Sequence, residues 1–444
     1  MSTGLGMALP AAWSWLPLKF AAAQLGRGTA PNYVDDGLTR VIGQASNQLS
    51  GLDWQRTRLH GHEGSPRLLK GYLCPDDVLI NSTGNGTLGR VGYFEGGPDG
   101  RPCIADGHIT VVRARREVIE PRYLYYWLGS SLFYDYIYAS LVVGATNQIE
   151  LYLERLAAAP VALPPLGEQR RIADLLDAET ARIDRIAQLR RSYRALSESR
   201  SSQIVDGVVA GVRESLAEIG SGADGGDWDA AKVSHLFSIT PGFAFDSANF
   251  RQEGGTRLLR GINVGIGRVG WDAETVSWDA RARPVESRFH LRVDDLVVGM
   301  DRTWIGGGTR VALIRERDTP ALLLQRVACL RPRGAASTRY LRWVLGSSHF
   351  RLALEGETTG VSVPHISGDQ IGSFRFALPP SRDQEILAGL LDEQDELQRR
   401  RSELVDRQLA RLMEYRQALV MAAVTGQIDT STARGAVPMS AAAA

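Results

Sequence analysis

Cysteine is scarce, with only Cys74, Cys103 and Cys329 in 444 residues. They are too widely spaced for a disulfide framework or a zinc cluster, and read as small buried side chains. The seven histidines are scattered; His60 and His62 stand two apart with no further ligand at metal spacing, which argues against zinc. Lysine is confined to Lys19, Lys70 and Lys232, so arginine carries nearly all of the positive charge. No serine lies in a nucleophile elbow. No glycine-rich run ends in Gly-Lys-Ser/Thr or has dinucleotide spacing, which removes a phosphate-cradling enzyme. The acidic pairs Asp76/Asp77 and Asp294/Asp295 read as turn residues before strands, not as a two-metal centre. Apolar runs fall short of a membrane span, and Met1 to Leu16 lacks the basic leader of a signal peptide, so a cytoplasmic location is expected. The net charge is +1, so a nucleic-acid partner would have to be met by local patches.

What is there is a repeat. Tyr123-Leu-Tyr-Tyr-Trp-Leu-Gly-Ser-Ser-Leu-Phe133 matches Tyr340-Leu-Arg-Trp-Val-Leu-Gly-Ser-Ser-His-Phe350, an offset of 217. Leu163-Pro-Pro-Leu-Gly-Glu-Gln169 matches Leu378-Pro-Pro-Ser-Arg-Asp-Gln384 at 215, and Asp77-Val-Leu-Ile matches Asp295-Leu-Val-Val at 218. Three blocks in one order at near-equal offsets mark an internal duplication with a domain-sized unit. The halves diverge most around residues 21–70 and 241–290. The expected organisation is a lobe at 1–162, a helical arm at 163–214, a Gly/Asp-rich linker at 215–227, a second lobe at 228–377, a second arm at 378–426 and a tail at 427–444.

After each proline pair the apolar period becomes helical. Ile172, Leu176, Ile183, Ile186, Leu189, Tyr193 and Leu196 draw one stripe, and Ile386, Leu390, Leu397, Leu404, Leu409, Leu412, Leu419 and Val420 draw the other. Some forty residues make a rod of about 60 Å, and a rod with an apolar stripe needs a partner. The two arms are expected to pair antiparallel about a pseudo-twofold axis. The lobes read as mixed α/β, so the fold class is α+β: two mixed lobes separated by a coiled-coil pair of helices.

Each lobe contains a strand, a polar turn and a second strand, at 76–93 and 294–312. Asn81, Ser82, Thr83, Asn85, Thr87 and Arg90 in the first, and Arg302, Thr303, Thr309 and Arg310 in the second, are the candidate DNA-binding residues. Arginine reads guanine edges, amides read adenine edges, and hydroxyls hold phosphates; each could equally be an ordinary turn residue. A second polar cluster before each arm adds Asn147 and Gln148, and Ser362 and His365. Candidate partner-binding positions on the arms are Ile172, Leu176, Ile183 and Ile186, with Leu390, Leu397 and Leu404. No catalytic set and no metal site is evident.

With these features together, the chain resembles the specificity subunit of type I restriction-modification systems, from Trp15-Leu-Pro-Leu-Lys19 to Gly426-Gln-Ile-Asp429. The most specific pieces are Leu163-Pro-Pro-Leu-Gly-Glu-Gln-Arg-Arg-Ile-Ala-Asp-Leu-Leu-Asp177 and Ala422-Ala-Val-Thr-Gly-Gln-Ile-Asp429. The resemblance implies that each lobe is a target-recognition domain reading half of a split double-stranded DNA sequence. It implies arms that set the spacing and hold two methyltransferase subunits, with motor-nuclease subunits completing the complex. S-adenosylmethionine, ATP and Mg2+ would belong to those partners, with no cofactor in this chain. Two other readings stay open: a specificity subunit paired with a fused methyltransferase-nuclease, and a structural adaptor with no DNA role.

Overall fold

A computed structural model of the chain describes residues 7–49, 51–143, 149–223, 225–226, 228–272, 274–306, 308–355 and 365–428. It divides into two compact units, residues 1–190 with 407–444, and residues 191–406.

The first unit is built around a four-stranded sheet in the order β1-β4-β2-β3, with β1 at Ala22–Arg27, β2 at Asp77–Asn81, β3 at Val91–Phe94 and β4 at Ile109–Ala114. All its neighbours are antiparallel. Every residue of β2 is buried, because both faces of the strand are covered. Val78 and Ile80 join a core with the helix α1, Pro121–Leu128, while Leu79 faces Ile42, Phe94 and Val111 on the other side. That is the period-two alternation of a strand, and it explains why Val78-Leu-Ile80 reads as a continuous apolar run. The opposite layer is a smaller sheet in which Cys103–Ala105 runs parallel to Thr39–Ile42.

The second unit repeats this plan. Its sheet is β5-β8-β6-β7, with β5 at Phe237–Pro241, β6 at Leu296–Gly299, β7 at Val311–Leu313 and β8 at Val327–Pro332. Leu296 and Val298 face the helix side and Val297 faces away. The parallel pair recurs as Thr256–Leu259 with Ala321–Leu323. A two-stranded frame also recurs, Ser14–Pro17 with Pro160–Leu163 and Asp229–Lys232 with Arg375–Leu378.

The same ion pair clips each sheet. Arg113 grips Asp77 through Nε and Nη2, both at 2.8 Å, and Arg331 grips Asp295 at 2.7 and 2.6 Å. Asp77 also accepts the Cys74 amide at 2.8 Å, and Asp295 the Arg292 amide at 2.9 Å. The acidic residue before each, Asp76 at φ 75° and Asp294 at φ 67°, turns the chain into the strand in the left-handed region. The acidic pairs are therefore a turn and a clip.

Two helices of 44 residues each, α2 at Leu166–Val209 and, beyond the second unit's lobe helix α3 at Thr338–Gly346, α4 at Ser381–Val424, form the arms. Each begins in one unit and ends in the other. Gln169 joins the first arm to its lobe: its Oε1 accepts the Glu120 amide at 2.8 Å and its Nε2 donates to the Pro164 carbonyl at 2.8 Å. Gln384 does the same with Ser337 and Pro379, both at 2.9 Å. About two turns further on, Asp177 accepts from Arg122 and Tyr126, and Asp392 from Arg339 and Trp343. Burial raises the Asp177 carboxyl above its usual range against the pull of those partners.

In the second unit the arms lie antiparallel, with Ser197 donating to Gln398 at 2.7 Å and Arg194 paired with Asp406 at 2.5 Å. In the first unit Asp184 meets Arg416 at 3.8 Å. The stripes are buried only in part. Ile172, Leu176 and Ile183 are in the core, whereas Ile186, Leu189, Tyr193 and Leu196 are exposed. Near the start of the second arm the fully buried residues are Leu387, Ala388 and Leu391, one position on from the expected Ile386 and Leu390, and near its end Val420, Ala423 and Val424 are buried; Ile386, Leu397 and Leu404 are exposed. Apolar residues occupy more than one face of α4, so periodicity alone does not say which face the lobe covers.

Arg113→Ala leaves the fully buried Asp77 without its partner and is expected to lower the unfolding free energy by about 3 kcal/mol. Arg116→Ala, which breaks the exposed pair with Asp76, should change it by less than about 1 kcal/mol. Urea denaturation followed by tryptophan fluorescence checks both.

Candidate nucleic-acid interface

The polar turn of each lobe is the loop of an antiparallel hairpin, residues 82–90 between β2 and β3 and residues 300–310 between β6 and β7. The loops leave their sheets in the same way. The Asn81 amide donates to the Arg90 carbonyl at 2.9 Å, and the Gly299 amide to the Arg310 carbonyl at 2.9 Å. Arg90 and Arg310 are thus structurally equivalent.

The expected DNA-facing residues separate by burial. Asn81, Ser82, Thr303 and Thr309 are buried. The side chains of three of them bond internally: Asn81 accepts from Asn47 Nδ2 at 2.9 Å, the Ser82 and Thr110 hydroxyls are 2.5 Å apart, and Thr303 donates to the Met300 carbonyl at 3.1 Å. A buried polar group is tolerated when such partners are present, so these residues shape the loops. Asn85 and Arg302 are exposed, and Thr83, Thr87, Arg90 and Arg310 are half-buried. Thr83 lies 2.8 Å from His108 Nδ1. Asn147, Gln148 and Ser362 lie outside the described residues.

Neither equivalent arginine meets a carboxylate among the described residues. Arg90 donates to Gln48 Oε1 at 2.9 Å and to the Gly86 carbonyl at 3.1 Å. Arg310 donates to the Val264 carbonyl at 3.0 Å. Burial, and then the charge of Arg302, push the Arg310 guanidinium below the ordinary arginine range. Arg302 itself sits at φ 45°, and Gly84 at φ 101° occupies the matching place in the first lobe. Holding a non-glycine residue in that region is unfavourable, and here it displays a guanidinium at the loop surface. The neighbouring carboxylate, Asp301, is committed elsewhere, to His365 at 2.5 Å and to Arg326. Burial works to raise its pKa, but those two partners hold it below the usual carboxylate range. His365 therefore serves to tie its segment to the loop, together with the Ile366 amide on the Met300 carbonyl at 2.9 Å.

Sequence reasoning missed Gln44, Asn47 and Gln48, which come from the divergent stretch before β2. Asn47 and Gln48 buttress the first loop by hydrogen bonds, and Thr87 donates to Gln44 Oε1 at 3.4 Å. It also missed the exposed pair Tyr134 and Tyr138, whose rings lie 4.9 Å apart, with the Tyr138 hydroxyl on the Leu88 carbonyl. The Asn-Gln pair preceding Gly51 was the available signal for a turn.

Of the arm positions, Ile172, Leu176 and Ile183 are taken up in the core of the first unit, Leu390 is half-buried, and Ile186, Leu397 and Leu404 remain on the surface. In the second unit a hollow of about 280 Å³ between the arms is lined by residues including Tyr193, Leu196, Ile204 and Arg401. His60 and His62 are stacked 5.2 Å apart, and His60 Nδ1 accepts the Asn32 amide, a packing arrangement. Among the described residues no group of His, Cys, Asp and Glu is placed to hold a metal ion, and no helix is long and apolar enough to cross a membrane.

Comparison with known proteins agrees with this geometry. The type I restriction modification DNA specificity domain matches residues 45–191. The chain is 26% identical over 263 residues to the type I restriction enzyme MjaVIII specificity subunit of Methanocaldococcus jannaschii, covering 57% of this chain and 60% of that one. It is 31% identical over 168 residues to the EcoAI specificity subunit of Escherichia coli, covering 37% of this chain and 28% of the relative. The matched parts thus span less than two thirds of these relatives' length. In fold it is similar to a chain of a solved type I R-M system assembly, with a TM-score of 0.71 at 19% identity over 95% of this chain and 100% of that one. It is also similar to the HsdS subunit from Thermoanaerobacter tengcongensis, with a TM-score of 0.54 at 20% identity over 96% of this chain and 100% of that one. Family domain, curated relatives and duplicated fold converge on similarity to the specificity subunits of type I restriction-modification systems.

Proposed function

We infer that this chain is the non-catalytic DNA-recognition subunit of a type I restriction-modification complex. The lobes, at 1–162 and 228–377, each read one half of a bipartite double-stranded target. The arms, at 163–214 and 378–426, set the gap and carry two methyltransferase subunits, with motor-nuclease subunits joining the assembly. S-adenosylmethionine, ATP and Mg2+ belong to those partners, and this chain supplies recognition and spacing.

The observation that carries the reading is the pair of equivalent arginines. Arg90 and Arg310 stand at the same place in a repeated sheet, each held by neutral oxygens and neither by a carboxylate among the described residues. A guanidinium left with open donor capacity at a loop surface suits a phosphate or a guanine edge. Their surroundings differ: amides, a histidine and tyrosines in the first lobe, and a second arginine in the other. Two ends built alike but furnished differently suit a target whose half-sites differ in sequence. Docking of partner subunits is supported by the apolar side chains that the arms leave uncovered, Tyr193, Leu196, Leu397 and Leu404 among them.

Arg90→Ala should relax recognition at one half-site, weakening the preference there by about 5- to 150-fold, the worth of a bidentate arginine–guanine contact. Arg310→Ala should do the same at the other half-site. Mapping of methylated adenines in cells carrying the complete system reads both; equal weakening on all sequences, with a shallower salt dependence, would mark a phosphate contact instead. Four residues inserted in one arm add about 6 Å of helix, or about two base pairs of gap. The mapped motif should lengthen in the gap and keep both half-sites.

A further inference from the structure

A second turn lies against the arginine loop in each lobe. In the first, Asn47–Gln48 pairs antiparallel with Gly51–Leu52, and Gly51 closes the turn at φ 109°. In the second, Val264 bridges Val269, with Gly267 at φ 71°. The two turns hold equivalent positions, since Gln48 receives Arg90 and the Val264 carbonyl receives Arg310. They share no residue pattern. What they share is one aliphatic side chain at the tip: Leu49, 78% exposed, and Ile266, 51% exposed.

A solitary exposed aliphatic needs no explanation. Its recurrence at one place in two lobes does, because both sit beside the arginine that leads the interface. Ile266 is held in position: its Cδ1 lies so near Gly308 that a Cβ there would come within 2.7 Å of it. Ile262 and Ile305 extend the exposed aliphatic surface in the second lobe. The surroundings are cationic, with Arg268 and Arg302 exposed and Arg310 half-buried. Positive charge around an apolar tip suits a polyanion with an apolar feature in its groove. On duplex DNA the major-groove feature of that kind is the thymine 5-methyl group.

We propose that Leu49 and Ile266 are specificity-determining residues, each packing on a thymine 5-methyl group in the half-site its lobe reads, next to the position met by Arg90 or Arg310. The proposal rests on the DNA-recognition reading above and deepens it. Recognition of a half-site then combines a guanidinium contact with an apolar contact from a separate turn.

The test uses the full chain assembled with its modification subunits and the duplex target found by methylated-adenine mapping. Thymidines in the half-site of the second lobe are replaced one at a time by deoxyuridine, which lacks only the methyl group. One replacement should weaken wild-type binding about fourfold, the effect of losing one buried methyl. Ile266→Ala should be insensitive to that replacement, and Ile266→Val should keep the sensitivity. Matching thermal melts of the variants show that the lobe is folded. A half-site without thymine, wild-type binding indifferent to every replacement, or undiminished sensitivity in Ile266→Ala overturns the proposal. Equal binding of the mapped duplex and a scrambled one overturns the DNA reading itself, and with it this proposal. Leu49 is tested in the same way on the other half-site.

Discussion

A buried amide side chain at the start of each arm determines how the arm meets its lobe. Gln169 uses its oxygen to take the amide of the residue before α1 and its nitrogen to satisfy a carbonyl of the proline pair. The amide stands at the start of a helix, where it has no intrahelical partner. Because one planar group serves both, the start of the lobe helix, the proline turn and the first turn of the arm share a single geometry. Asp177 then holds the flank of α1 through Arg122 and Tyr126. Gln384 and Asp392 build the same joint in the second unit. A loop is only as well placed as the lobe that carries it, so these joints underlie the position of each arginine loop.

The chemistry of the frame and that of the loops are opposite. In the frame, charge is matched: Arg113 with Asp77 and Arg331 with Asp295, each also bonded to backbone. In the loops, positive charge is left unmatched, and Asp301, the acid in the second loop, is taken up by Arg326 and by a hydrogen bond with His365. Matched charge specifies a fold, while unmatched charge stays available to a ligand. The separation lets loop residues change without disturbing the sheet, provided that buried members such as Asn81 and Thr303 keep their internal partners.

The duplication was legible where side chains are used twice for the same purpose. The glutamines after the proline pairs keep their identity because their bonds need an amide side chain, and Tyr123 and Tyr340 recur as fully buried rings. The turns at Asn47 and Val264 keep only their position and closure, which many residue types satisfy, so their equivalence is invisible in the sequence. The burial of Asn81 and Ser82 was not legible, because their partners come from residues 28 to 34 positions away. The arm stripes were visible as a period, but α4 carries apolar residues around more than one face, and the lobe chooses which are covered. Asn147, Gln148 and Ser362 fall outside the described residues.

The first unit is discontinuous along the chain, its core including Val420, Ala423 and Val424 beside Leu18, Tyr123 and Leu176. The second unit is one continuous segment. During synthesis, the lobe made first must therefore wait for residues 420 to 424 to leave the ribosome before its core closes, whereas the lobe made second has all its parts earlier. In the interval Leu176 and its neighbours are uncovered, and a chain stopped short of residue 407 keeps them so. The order of completion runs opposite to the order of translation.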